Sequence, residues 1–265
     1  MHKLKNILLW VLLFGYLIIA IGFISENHAK VICNKIYIQI SDEDYNKFLQ
    51  KEDVIKALER YKMKYIGRPI DSINTFIAKQ IINKNPAVEN ASVYTTIDGR
   101  LNIYVQQRRP ILRITNKKLQ NYYIDEAGQL IPLMKDYAAF TLIANGNIEE
   151  PFDVTIPRKI FPSKKDSFLR PNIIYDLYHV AKYIDNDDFW RSQIEQVYVD
   201  NHSEMELVPR VGSQIILFGK ANDIDIKFRK LKSMYRAFNE IGWNQYKTIN
   251  LKFKDQVVCT KREKL

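Results

Sequence analysis

The sequence predicts an α+β protein, two folded parts behind one apolar helix of membrane length. Three observations carry that prediction. Residues 7–24 hold no charged side chain. Residues 31–106 read in order as strand, helix, helix, strand, strand, and from residue 109 onward short alternating runs recur between amphipathic helices, a mixed or antiparallel sheet with helices. The composition agrees: 265 residues, 46% hydrophobic and 26% charged, carry the apolar content that disordered chains lack. That length allows one large or two modest domains.

Composition also removes function classes. Two cysteines, Cys33 and Cys259, are too few for a disulfide scaffold or a cysteine-rich metal site. The four histidines, His2, His28, His179 and His202, are not at metal-ligand spacing, which argues against a zinc hydrolase. The net charge of +10 comes from 40 Lys and Arg interspersed with 30 Asp and Glu. No basic block forms, so the charge does not by itself identify a nucleic-acid partner.

Ile7 to Ile24, as a helix rising ~1.5 Å per residue, spans ~27 Å, close to the ~30 Å hydrocarbon core. Ile7, Trp10, Phe14, Leu17, Ile21 and Ile24 are spread along this expected anchor. A cleaved signal peptide fits less well, because the run exceeds the usual ~7–15 residues and Ser25 to Ala29 is a poor cleavage site. Lys3 and Lys5 keep residues 1–6 in the cytoplasm, which places the folded parts after residue 24 outside it. Cys33 is not a lipidation site, since it follows a polar spacer and Ile32 is not small. Cys33 and Cys259 are compatible with a disulfide and equally with two free thiols.

The first folded part, residues 25–108, begins with a strand over Val31–Ile40, where Ile36, Ile38 and Ile40 share a face. Ser41 to Asp44 is a solvated turn. Val54, Ile55, Leu58 and Tyr61 are spaced for a helix. After Gly67-Arg68-Pro69, Asp71 or Ser72 is placed to cap a second helix with Ile73, Phe76, Ile77 and Ile81 as its stripe, ended by Asn85-Pro86. Ala91, Val93, Thr95 and Ile97 alternate toward Asp98-Gly99, which predicts a two-residue type I′ turn. Leu101, Ile103 and Val105 return along the buried face.

The second part, residues 109–265, opens with a strand entering a glycine turn at Tyr122 to Gly128. Glu149 to Pro171, with four prolines, reads as a long surface connection. Asn172 to Ile184 is an amphipathic helix, and strands follow at Ile194–Asp200, Glu204–Pro209 and Ser213–Gly219. Ile224, Phe228, Leu231, Tyr235 and Phe238 mark a long helix with Arg229, Lys232 and Arg236 on its solvated side. Thr248 to Thr260 reads as one final strand.

An enzyme needs a nucleophile–base pair or a metal cluster. Ser192 and Ser203 lack a G-x-S-x-G context, Cys259 has no nearby histidine, and His179 sits inside an amphipathic helix. Asp185, Asp187 and Asp188 could supply paired carboxylates, and they read as an acidic helix end. The competing class is a membrane-anchored periplasmic cell-wall hydrolase or peptidase, which would need His179 or His202 gathered with carboxylates in one pocket.

Several stretches resemble the bacterial division proteins FtsQ, called DivIB in other lineages. Ile66-Gly67-Arg68-Pro69-Ile70 and Asn85-Pro86-Ala87-Val88-Glu89-Asn90-Ala91-Ser92-Val93 are similar to the POTRA module of that family, as is Leu101-Asn102-Ile103-Tyr104-Val105. Gln107 or Arg108 stands where an acidic residue is common, and this wording is similar to the Bacteroidetes branch. Tyr123-Ile124-Asp125-Glu126-Ala127-Gly128, Leu207-Val208-Pro209-Arg210-Val211-Gly212 and Ile249-Asn250-Leu251-Lys252-Phe253 resemble its second module. Asn250 and Lys252 depart from Asp and Arg, and Asp255-Gln256-Val257-Val258 replaces a small Gly-Ala stretch.

The resemblance implies a POTRA domain followed by an FtsQ-type β domain, without catalytic, cofactor or metal sites. It implies a single-pass inner-membrane scaffold of the divisome, concentrated at the septum. Its expected partners are FtsB-like and FtsL-like single-pass proteins, with FtsK and FtsW–FtsI as further ones and no nucleic acid. A partner strand added at a terminal sheet edge would contact Ile249, Leu251, Phe253, Val257 and Val258, with Lys252 and Lys254 pairing acidic groups. Arg210 joins this set by motif position. A β-barrel assembly protein is excluded, because too little chain follows residue 110.

Overall fold

A computed structural model describes residues 9–19, 31–43, 46–134, 137–151, 160 and 172–263. The chain divides into two compact units, residues 1–108 and 109–265. Residues 9–19 are helical, with Trp10, Phe14 and Leu17 exposed among other apolar side chains. Among the described residues no helix is long and apolar enough to cross a membrane. Ile7, Ile21 and Ile24 lie outside the described residues.

In the first unit, β1 (Lys35–Ile40) is followed by α1 (Lys51–Arg60), α2 (Thr75–Asn83), β2 (Val88–Thr95) and β3 (Arg100–Gln107). The expected order of strands and helices holds. β3 is central, parallel to β1 and antiparallel to β2. Leu101, Ile103 and Val105 of β3 are buried with Val54, Leu58, Ala78, Ile81 and Ile82 of the helices. The other face of the sheet displays Tyr37, Tyr94 and Tyr104, the last two stacked at 5.9 Å between ring centroids.

Three local expectations change. Asn74, not Asp71 or Ser72, caps α2, accepting from the Ile77 N–H at 3.0 Å, because residues 70–72 form a short 3₁₀ turn first. Both helical stripes are rotated, so that Ile55, Tyr61, Phe76 and Ile77 are exposed while Ala78 and Ile82 are buried. The hairpin has a three-residue loop: Thr96 N–H donates to Arg100 O at 2.9 Å and Gly99 N–H to Thr96 O at 3.0 Å. Gly99, with φ +81°, supplies the left-handed residue of a G1 bulge instead of a type I′ turn. A Cβ there would stand 2.4 Å from the Ile32 carbonyl oxygen.

The second unit is a nine-stranded mixed sheet. Its strands are β4 (Pro110–Thr115), β5 (Asn121–Asp125), β6 (Leu130–Pro132), β7 (Leu142–Gly146), β8 (Ile194–Val199), β9 (Met205–Pro209), β10 (Ile215–Gly219), β11 (Tyr246–Asn250) and β12 (Val258–Lys261). Their spatial order is β12-β11-β10-β9-β8-β7-β4-β5-β6. β4, β7 and β8 run parallel, as do β10 and β11, and the other pairs are antiparallel. Helices α3 (Ile173–Asp185), α4 (Asp188–Gln193) and α5 (Ile224–Ile241) belong to this unit. Trp190, Phe218, Phe228, Tyr235 and Phe238 form its aromatic core, with Trp190 and Phe228 centroids 5.0 Å apart. Most of the Glu149–Pro171 connection lies outside the described residues.

Three turns of this sheet share one construction. Asn116, Asp125 and Asp200 each accept two backbone N–H groups, two and four residues ahead, at 2.7–3.0 Å. The third residue ahead, Leu119, Gly128 or Ser203, has positive φ. A short polar side chain thereby does locally what a backbone carbonyl would do in a longer turn. Asp125 of the Tyr-Ile-Asp stretch is a turn-forming residue.

Candidate partner-binding edge

The sequence expectation of one strand from Thr248 to Thr260 is corrected: β11 and β12 form a hairpin around residues 251–257. A polar run, Lys252 to Gln256, interrupts the alternation. β11 is inside the sheet, parallel to β10, and β12 is the outermost strand. The side of β12 turned away from β11 pairs with no other strand among the described residues.

That placement divides the expected contact residues. Ile249 and Leu251 are completely buried in the core behind the edge, so neither offers a surface to a partner. Phe253, at 45% exposure, and Val258, at 41%, are open. Val257 packs partly against the core. Lys254 is exposed, whereas Lys252 is occupied: its Nζ lies 2.6 Å from Glu204 and its stem covers Gly219.

Arg210 belongs elsewhere. It follows β9, its N–H donating to Gln193 O at 2.7 Å, and its guanidinium stands 5.2 Å from the exposed Phe140 ring. The 251–257 loop abuts the other end of β9 and β10, where Leu251 N–H donates to Leu217 O and Lys252 meets Glu204. The expected set thus comprises two groups at opposite ends of the strands.

One residue that the sequence reading passed over organises the loop. Lys230, on α5, donates from Nζ to the carbonyls of Leu251 (3.3 Å), Phe253 (2.5 Å) and Lys254 (3.3 Å). These three bonds to carbonyls of one loop pin its backbone and leave the Phe253 ring outside. No local pattern could reveal this, since the partners are 21 to 24 residues away. Next to it, Lys227 is buried beneath Lys220 O (2.7 Å) and Asn222 Oδ1 (3.1 Å), and burial lowers its pKa. Burial likewise raises the Cys259 thiol, and Cys33 and Cys259 are both free.

The residues weighed for catalysis have other duties. Asp185 receives Arg109 at 2.7 and 3.0 Å, Asp187 caps α4, and Asp188 pairs with Arg191. His179 packs edge-on to Tyr175 and Tyr178. Among the described residues no group of three His, Cys, Asp or Glu side chains could hold a metal. Arg109 also reaches Glu126, and these two carboxylates raise its pKa, so the Arg-Arg-Pro stretch fastens the β5–β6 turn to the end of α3. Gln107 is buried too, donating to Ser41 O and Asn46 O, both at 2.6 Å, and accepting from Leu49 N–H.

The class defined by this architecture is a two-module α+β protein, a small three-stranded domain followed by a larger mixed sheet with an open terminal edge. The model for POTRA-like domains matches residues 31–106. The model for the FtsQ/DivIB C-terminal related family matches residues 109–260, and the chain belongs to the FtsQ/DivIB family. These domains support a general role as a cell-division scaffold, in a family that is generally non-catalytic. No curated protein matches the chain.

Proposed function

We propose that this chain is a single-pass, non-catalytic scaffold of the divisome that accepts a partner strand along β12. Residues 7–24 are the anchor, with the folded units on the periplasmic side of the inner membrane at the septum. The partners are FtsB-like and FtsL-like single-pass proteins, which link the scaffold to septal peptidoglycan synthesis, and FtsK connects it to earlier components. The observation that carries the reading is the outermost position of β12 beside the exposed Phe253. An added strand would take up the unpaired backbone groups of β12, while Phe253 and Val258 select its apolar side chains. Lys254 and Lys261 favour an acidic segment and, in the absence of one, discourage uncontrolled pairing at the edge.

The test is affinity purification of the full chain from detergent-solubilised host membranes, beside Phe253→Glu. The expected result is recovery of two small single-pass coiled-coil proteins with the wild type and their loss in the variant. Recovery of neither with the wild type contradicts the proposal.

A further inference from the structure

The first unit carries a second place built for an extended chain. A cavity of about 580 Å³ opens between β1, the end of α1 and the segment after it, lined by Ile36, Ile55, Leu58, Met63, Tyr65 and Ile66. Its size falls within the ~300–1,000 Å³ usual for binding pockets. Ile55 is 40% exposed and Ile66 64%, although apolar side chains of that size are placed to bury if anything covers them. Tyr65 is nearly buried, yet its hydroxyl has no hydrogen-bond partner among the described residues.

Backbone geometry beside the cavity narrows the occupant. Among the described residues β1 is an outer strand of its sheet, paired with β3 and with no other strand. At its start the free side is already used: Cys33 N–H donates to Arg68 O at 2.7 Å, and Gly67 N–H to Cys33 O at 2.8 Å. From Lys35 to Ile40 that side pairs with no strand among the described residues, and Ile36 within it is a wall of the cavity. A strand continuing the ladder begun by Gly67 and Arg68 would turn alternate side chains to opposite faces. One set enters the cavity, and the other extends the tyrosine row that starts at Tyr37. Lys62 and Lys64 stand exposed at the cavity, where Glu59 is the one carboxylate among the lining residues, and Lys35 opens the edge. Beyond the far end of β1, Glu43 is already paired with Lys51 and Asp42 is exposed, so acidic residues of the segment are favoured most where it meets Lys62 and Lys64.

We infer that the β1 edge and this cavity bind an extended, apolar partner segment flanked by acidic residues, independently of the β12 edge. An acyl chain would fill the cavity but leave the backbone groups of β1 without partners.

The probe is a fluorescein-labelled peptide, Asp-Asp-Val-Phe-Val-Phe-Asp-Asp, titrated into the full chain in lipid nanodiscs. Saturable anisotropy is expected, with shifts of the Ile36, Ile55 and Ile66 δ-methyl signals while those of Ile81 and Ile249 stay in place. Ile66→Glu is expected to weaken binding at least tenfold. Lys62→Glu with Lys64→Glu is expected to do the same, and to regain binding with the Lys-flanked peptide. Backbone N-methylation at alternate residues of the probe is expected to abolish binding in one of its two registers. Absence of saturation, equal binding by Ile66→Glu, failure of the charge exchange, or indifference to N-methylation in both registers would each overturn the inference.

Discussion

The two ends of the nine-stranded sheet face the same physical problem and meet it differently. Each has an outermost strand whose outer side pairs with no other strand among the described residues, and unpaired N–H and C=O groups there invite another chain. At one end, β6 is three residues long, buries Ile131 and closes with Pro132. A proline has no N–H to offer, and so short a strand gives a partner little to pair with. At the other end, β12 has no proline, its residues are half-buried or exposed, and the neighbouring loop is held by Lys230 with an aromatic ring outside. One end is blunted and the other is left usable, with lysines as its protection. The contrast separates an edge that merely ends a sheet from one fit for pairing.

Substitutions can sharpen this contrast, and the largest effect is expected behind the open edge. Leu251→Ala removes a completely buried side chain and should cost about 2–5 kcal/mol of stability, read by chemical denaturation. Phe253→Ala, two residues away in the exposed set, should change that midpoint little while weakening partner capture. If the two behave alike, the division between supporting and presenting residues fails.

The blunted end has its own dependence, through the turn that leads into β6. Asp125→Ala deprives the Ala127 and Gln129 N–H groups of their acceptor, at roughly 1–3 kcal/mol. Faster amide exchange in residues 126–132 with β12 unchanged is the expected signature. Lys230→Met frees three carbonyls at the open end and should cost about 1 kcal/mol. Its exchange signature should fall on residues 251–257 instead. Lys252→Ala breaks a partly exposed pair with Glu204, and after allowance for solvent screening the change should stay below about 1 kcal/mol.

How far the sequence revealed these features depended on the range of the interactions. The order of the first unit was readable because alternation and helical spacing are local, as with Leu101, Ile103 and Val105. The faces of its helices were not, since Ile55 and Phe76 look like core residues until the sheet beneath them is placed. Asp98-Gly99 announced a hairpin correctly, but the loop type turned on Thr96 pairing with Arg100. In the second unit the parallel pairings of β7 with β4 and β8 join residues far apart, and no local signal encodes them. The final hairpin was signalled only by the polar run from Lys252 to Gln256, which a strand reading absorbed. Lys230 was invisible for the same reason: its function lies in a contact between distant segments.

The most direct test of the central claim is site-specific photo-crosslinking of the full chain in its host, with the probe placed in turn at Val258 and at Leu133. Leu133 follows the blunted strand and is 40% exposed, close to the 41% of Val258, so access to the probe is matched. Adducts to an FtsB-like or FtsL-like protein are expected from position 258 and none from position 133. The reverse pattern, or equal adducts from both, would contradict the assignment of β12 as the partner-binding edge.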